Sequence, residues 1–288
     1  SHIATDFLDS IPLDDPATYE RLRAGETIGA FQLESPAQRA LQARLGADNI
    51  EDVVASVALI RPGPIAGNMV EPYVARRKGL EPVTYLHPKL EKILSKTYGV
   101  VLFQEQVIEI AVEIAGFTPG EADTLRRLMT KNRSMKEMQA LGRPFVEKCV
   151  ARGIEQSVAE TVFSYIVGYA GYGFCEAHAA AFSDTAYKTM YLLTHYPAEF
   201  YAALLSNQPM GFYSPNTLAL EARRRGIRIL LPDVNRSEKH FTVEEGPAIR
   251  IGLMQIDGIA EAEIEALATE RERGGPFASF EEFCGRVP

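Results

Sequence analysis

The sequence predicts a mainly α fold, a multi-helical domain followed by a small α/β tail. Three observations predict it. Apolar residues recur at helical spacing through the first two hundred positions. Capping residues, prolines and glycines fall where those runs begin and end. Strand-like runs are confined to the stretch after Arg228.

The elements follow in order. "SPAQRALQARLG" offers Ser35 as N-cap, Pro36 at the first helical position and Gly46 just past the end. "QEQVIEIAVEIAG" puts Val107, Ile110, Ala111 and Ile114 on one face. "SVAETVFSYIVGYAG" and "AAFSDTAYKTMYLLTHYPAEFYAALLSN" read as two long buried helical regions, the second broken at Pro197. The loops "RPGPIAGN", "GLEPVTYLHP" and "GYGFCEAH" separate them, and the character changes near Gly211. "RRRGIRILLPDV" ends a helix and starts a short strand, and "HFTVEEGPAIRIGLMQIDG" carries two β-like runs around a turn. "IAEAEIEALATERERGG" is a helix, and another starts at Phe280. There is no internal repeat and no low-complexity tract.

With 288 residues, 46 % hydrophobic and 24 % charged, the composition is that of an ordinary globular protein. The formal net charge of −8 argues against a generally basic nucleic-acid coat, but it leaves a local basic patch open. Three cysteines without CxxC spacing fit a reducing compartment and exclude a cysteine-rich zinc module. No signal peptide is visible, and no apolar run approaches the roughly 20 residues that cross a bilayer, so a cytoplasmic location without membrane contact is expected. The opening "SHIA" and the closing "CGRVP" read as the ends of a fragment.

Against this acidic background, eight Lys and Arg face four acids between Glu121 and Arg152, a local excess of four positive charges. Arg126, Arg127 and Lys131 lie on a helix whose Ala122, Leu125 and Met129 face the core. One reading is a solvated surface on which Asp123 pairs with both arginines. The other is a fork for phosphate, because guanidinium geometry suits bidentate phosphate contact. "GYAGYGFCEAH" interleaves Gly168, Gly171 and Gly173 with Tyr169, Tyr172 and Phe174. It is either a tight helix–helix turn or a platform on which a base or sugar stacks. His178 has no second ligand at metal spacing, so no metal role is expected of it. In "RPGP" Arg61 heads a rigid loop, suited to an anion or to tying two helices. "GAFQLES" and "LFQEQ" offer Phe31 and Phe103 as core anchors, with Gln32 and Gln104 as buried hydrogen-bonding residues.

Taken together these motifs resemble the fingers region of the bacterial DNA polymerase III alpha subunit. The resemblance is carried by "IPLDDPATYERLRAGETIGAFQLES", "ALIRPGPIAGNMVEPYVARRKG", "TYGVVLFQEQV", "GFTPGEADTLRRLM", "GYAGYGFCEAHAAAF" and "HYPAEFYAALL". "IRIGLMQIDGIAEAEIEAL" resembles the start of the helix-hairpin-helix segment that follows. The implied layout is a palm-to-fingers connection over 1–30, helical fingers over 31–210, a connecting helix and short strands over 211–245, and a truncated helix-hairpin-helix region over 246–288.

The resemblance implies a DNA-directed DNA polymerase, a nucleotidyltransferase of DNA replication. Its fingers meet the triphosphate of the incoming dNTP. By motif, Arg126 and Arg127 are the triphosphate contacts, with Lys131 and Arg61 nearby. Tyr172, Gly173 and Phe174 border the nascent base pair, and His178 stands at the same pocket. Gly258, Ile259 and Ala260 are the hairpin residues facing DNA. The implied partners are dNTP, primer–template DNA, the palm and thumb of the same polypeptide, and replisome subunits such as the sliding clamp.

The family's palm aspartates, which hold two Mg²⁺ ions, are absent. Asp6 in "TDFLDS" lies too close to Ile11 to be one of them and reads as linker, so no catalytic or metal residue is assigned and this stretch alone is expected to be inactive. Cys175 and Glu176 replace the family's "NK" after "GYGF". "GIA" with acidic flanks replaces the usual hairpin glycine.

"ESPAQ", "FTPGEAD", "FCEAHAA" and "NQPMGFYSP" resemble the accessory, error-prone homologues of damage tolerance. "TKNRSMKEM", "HYPAEF" and "YGVVLFQEQV" fit the replicative enzymes, and the balance favours the replicative branch. A non-catalytic DNA-binding module and a ligand-free helical scaffold are the alternatives from other classes. Triphosphate binding separates the polymerase reading from both.

Overall fold

A computed structural model describes residues 5–60, 69–129, 135–169 and 174–287. Among these, helices α1 (Thr5–Asp9), α2 (Pro16–Arg23), α3 (Pro36–Leu45), α4 (Ile50–Leu59), α5 (Val70–Arg77) and α6 (Pro88–Leu94) come first. A 3₁₀ turn, Ser95–Thr97, leads toward α7 (Gln104–Glu113), α8 (Pro119–Met129), α9 (Met135–Ala151), α10 (Gln156–Tyr169) and α11 (Glu176–His195). Then come α12 (Pro197–Ser206), α13 (Pro215–Arg224), strands β1 (Arg228–Leu230), β2 (Thr242–Glu244) and β3 (Ala248–Arg250), and helices α14 (Glu261–Gly274) and α15 (Phe280–Arg286). The mainly helical fold with a small mixed tail is thus as the sequence predicts.

The chain divides into two compact units. The first comprises Pro12–Glu26 and Pro36–Tyr187, and the second Ser1–Ile11, Thr27–Ser35 and Lys188–Pro288. In the first, α6 to α10 close over a core that includes Leu94, Ile110, Ile114, Phe145 and Ile166. Each such side chain contributes about 1.5–3 kcal/mol on burial. The predicted apolar face of α7 is the buried one, with Val107, Ile110, Ala111 and Ile114 at most 1 % exposed. α9 and α10 approach closely at Gly142, where a Cβ would stand 2.5 Å from Cε1 of Phe163.

A second cluster joins α3, α4 and α5 to the extended segment that ends at Phe103. Beside it lies a bidentate ion pair: Arg77 Nε donates to Asp52 Oδ1 at 2.7 Å and Nη2 to Oδ2 at 2.6 Å. Asp52 is only 2 % exposed. The hydrogen bonds that Arg77 donates to the buried carboxylate, first among the causes, and the charge of that carboxylate push its guanidinium pKa up. Arg77 Nη2 also donates to Asp48 Oδ1 at 2.9 Å, so the guanidinium has a second carboxylate. The buried Asp52 has no other cation among the described residues, and the pair is costly to break from the Arg77 side.

In the second unit, β3 is the central strand. It pairs parallel with β1 and antiparallel with β2, with Ile249 opposite both Ile229 and Val243. Gly246, at φ +73°, makes the turn between β2 and β3. Arg250 is buried and donates to Glu244 Oε1 at 2.5 Å and to the Leu231 carbonyl at 2.8 Å. α14 and α15 cover a smaller core of Leu253, Ile264, Leu267 and Phe277.

The two Phe-Gln pairs behave differently. Phe103 is buried as expected, but Phe31 is 39 % exposed and Gln32 is exposed with φ +60°. The segment around Phe31 is a run of turns, so the ring is not carried into a core by helical periodicity.

Candidate functional site

The site grows from one buried glutamine in the first unit. Gln106, 1 % exposed, accepts from the N–H groups of Leu102 and Phe103 at 2.8 and 3.0 Å. Its amide donates to the Ile93 carbonyl and to Thr97 Oγ1. A buried amide with these bonds made fixes the backbone that it spans. Segment 102–104 is therefore held in place, and Phe103 forms a parallel bridge to Phe174.

Gln104 joins three parts. Its backbone N–H donates to the Phe174 carbonyl at 2.9 Å, and its side-chain oxygen accepts from Arg126 Nη1 at 3.0 Å. Arg126 also donates from Nε and Nη2 to Asp123 Oδ1, at 3.0 and 2.8 Å. Arg127 Nη2 meets Asp123 Oδ2 at 3.0 Å. One carboxylate thus serves two guanidinium groups. The Asp123 carboxyl pKa is lowered, first by the Arg126 hydrogen bond and then by the charge of Arg127. Arg127 keeps 65 % of its side chain exposed against 23 % for Arg126.

α8, which carries both arginines, has a firmly capped start. Thr118 N–H donates to Glu121 Oε2 at 2.8 Å, and Glu121 N–H returns to Thr118 Oγ1 at 3.3 Å, a capping box. Lys148 Nζ donates to Glu121 Oε1 at 2.8 Å. That hydrogen bond, with those from Thr118, lowers the Glu121 pKa to about 2.

Across the segment, His178 is exposed on α11, its ring 5.3 Å from that of Phe174 and 4.1 Å from that of Phe182. Arg126, Phe174 and His178 are thereby linked, through Gln104, into one neighbourhood. Arg61, Lys131, Tyr172 and Gly173 lie outside the described residues. One side chain that sequence reasoning did not place here, Lys96, belongs to the same edge, where it meets Glu176. Lys96 contacts both oxygens of Glu176, at 2.6 and 2.7 Å, and lies 5.8 Å from the Phe103 ring centre. The signal that was available is "FQEQ", whose second glutamine sits at a buried helical position, and the charge opposition of Lys96 and Glu176.

The hairpin residues belong to the second unit. Gly258 takes φ +84°, which favours glycine, so the turn forms. The Ala260 N–H, however, donates to Glu263 Oε2 at 2.7 Å, and Glu261 forms an ion pair with Lys239. The acidic flank therefore already engages the Ala260 N–H that the resemblance offers to a DNA phosphate.

No group of three or more His, Cys, Asp or Glu side chains fit to hold a metal ion occurs among the described residues. The Mg²⁺ ions implied by the resemblance have no donor set there, and no step through them follows. No helix among the described residues is long and apolar enough to cross a membrane.

Comparison with known proteins gives the family. The model of the bacterial DNA polymerase III alpha subunit finger domain matches residues 2–153, and a helix-hairpin-helix motif matches 226–288. An error-prone DNA polymerase of Symbiobacterium thermophilum is 60 % identical over 97 % of this chain and 28 % of its own length. Error-prone DNA polymerases of Anaeromyxobacter dehalogenans and Methylococcus capsulatus are 44 % and 41 % identical over 98 % of this chain and 26 % and 29 % of theirs. The chain thus spans less than a third of the relatives it matches. Their names run against the replicative branch that the balance of short motifs favours, because several of those motifs serve both branches. The finger-domain match covers more than half of the sequence, and the chain belongs to the family of the bacterial DNA polymerase III alpha subunit finger domain.

Proposed function

We propose that this chain is the fingers portion of an error-prone DNA-directed DNA polymerase and that Arg126 and Arg127 receive the triphosphate of the incoming dNTP. The observation that carries this reading is the chain of bonds Asp123–Arg126–Gln104–Phe174. A solvated ion pair needs only Asp123. Here a half-buried guanidinium is oriented a second time, by Gln104, which also binds the backbone that ends the glycine–aromatic turn. Such double anchoring reduces the ordering entropy that a phosphate contact has to overcome. Both guanidinium groups stand at the Asp123 carboxylate, with Arg127 the more exposed, and two neighbouring guanidinium groups suit a polyphosphate.

Phe174 and His178 then lie at the nucleotide's flank, where rings stack on a base or sugar. Lys131, Arg61, Tyr172 and Gly173 are assigned to the same site by motif. Primer–template DNA, the palm and thumb, and a sliding clamp are the proposed partners. Gly258, Ile259 and Ala260 are assigned a minor DNA contact, because Glu263 competes for the Ala260 amide. The palm would supply the carboxylates for Mg²⁺.

The test is binding of a nucleoside triphosphate to this chain, with inorganic tripolyphosphate as competitor. Displacement by tripolyphosphate, lost in Arg126→Gln, is the expected result. Absence of triphosphate binding would leave only the helical-scaffold or DNA-module reading.

A further inference from the structure

Glu176 puts a carboxylate at the edge of a site that is to receive polyphosphate, and a second carboxylate, Glu105, accepts the Glu176 backbone N–H at 3.0 Å. Left unpaired, these two negative charges would repel the ligand. The structure resolves this at one point. Lys96 Nζ lies 2.6 and 2.7 Å from the two oxygens of Glu176.

Three features distinguish this contact from an ordinary surface pair. It joins residues far apart in the chain, one on the 3₁₀ turn Ser95–Thr97 and one on the first turn of α11. It is bidentate from a single ammonium. It also sits against the segment that carries the site, since Lys96 lies 5.8 Å from the ring centre of Phe103, and the next residue, Gln104, receives Arg126. Lys96 and Arg126 therefore meet adjacent residues, Phe103 and Gln104. The 3₁₀ turn is itself fixed, because Thr97 Oγ1 accepts from the buried Gln106 and donates to the Val100 carbonyl at 2.6 Å.

We infer that Lys96 is a further polyphosphate-facing cation of this site and that Glu176 is its positioning residue. An ammonium has three donors on a flexible stem. Glu176 occupies part of that capacity and holds the stem beside Phe103. Lys96 is 48 % exposed, so its remaining donor capacity reaches solvent, where an anion approaches. Glu176 thus costs little electrostatically while Lys96 is present, and it becomes a repulsive charge once Lys96 is removed.

This inference rests on the triphosphate reading above, and the experiment separates the two. Tripolyphosphate binding to this chain is measured at low ionic strength for the wild type, Arg126→Gln, Lys96→Ala, Glu176→Gln and the Lys96→Ala/Glu176→Gln double variant. Melting temperature is followed in parallel. Lys96→Ala is expected to weaken binding roughly tenfold, as for loss of one charge-assisted contact. Glu176→Gln is expected to weaken binding about threefold when Lys96 is present and to strengthen it about threefold in the Lys96→Ala background. A purely structural ion pair does not produce that reversal of sign.

If the wild type binds no tripolyphosphate, the functional reading and this inference fall together. If Arg126→Gln loses binding while Lys96→Ala stays within twofold of wild type, only this inference is overturned. If Glu176→Gln strengthens binding equally in both backgrounds, Glu176 merely repels and does not position Lys96.

Discussion

Arg126 donates to the side-chain oxygen of Gln104 at 3.0 Å, and this contact ties the arginine-bearing helix α8 to the start of α7. Because the Gln104 N–H also binds the Phe174 carbonyl, one residue sets the spacing between a cation and Phe174. Gln104→Ala removes the side-chain acceptor and leaves that backbone bond intact. The expected loss of stability is about 1 kcal/mol, the value of one partly buried hydrogen bond. Tripolyphosphate affinity is expected to fall severalfold more than this change in stability would explain. Titration and thermal melting of the same preparation check both.

The Asp52–Arg77 pair predicts a much larger effect on folding. Arg77→Ala strands the Asp52 carboxylate, which is 2 % exposed, beside a buried cluster. The expected cost is about 3–5 kcal/mol. Urea denaturation checks it, and a change below 1 kcal/mol would show that water replaces the guanidinium freely.

Acid should loosen the start of α8. The Glu121 pKa falls from the usual 4.5 to about 2 in the folded chain. A depressed carboxyl stabilises the fold above its unfolded pKa, and this stabilisation disappears as pH falls toward the folded value. The stability gap between wild type and Glu121→Gln is therefore constant above about pH 5.5 and shrinks between pH 4.5 and 2. Parallel denaturation series across that range measure it.

The three thiols should react unequally. Burial pushes the Cys149 thiol up to about 11, and its side chain is fully enclosed, whereas Cys284 is exposed. Iodoacetamide at pH 8 is expected to label Cys284 first and Cys149 only after denaturation, read by peptide mass spectrometry.

Much of the fold was legible because it obeys local rules. Pro36 and Gly46 bound α3, Pro197 separates α11 from α12, and Gly246 turns β2 into β3. The arginine helix and its Asp123 partner were equally readable from i,i+3 and i,i+4 spacing. What escaped was non-local. Gln106 looks like Gln104 in sequence, and only the return of Ile93 and Thr97 beneath it makes it the buried anchor. Lys96 and Glu176 are eighty residues apart, so no periodicity connects them. Phe31 misled because an aromatic beside a helix start suggests an anchor, while its own segment is a series of turns.

The central claim is that Arg126 and Arg127 clamp a triphosphate, and single-nucleotide incorporation tests it most directly. The measurement uses a chimera in which this chain replaces the matching part of the Symbiobacterium thermophilum relative. Arg127→Ala is the informative variant, because its exposed ion pair with Asp123 is worth about 0–1 kcal/mol of stability. The account predicts a tenfold to hundredfold loss of incorporation efficiency, on the order of one charge-assisted phosphate contact. The loss should be equal for all four nucleotides, with melting temperature and DNA affinity nearly unchanged. Unaltered incorporation in Arg127→Ala, with only a small shift in melting temperature, would contradict it and leave the cluster a solvated helix face.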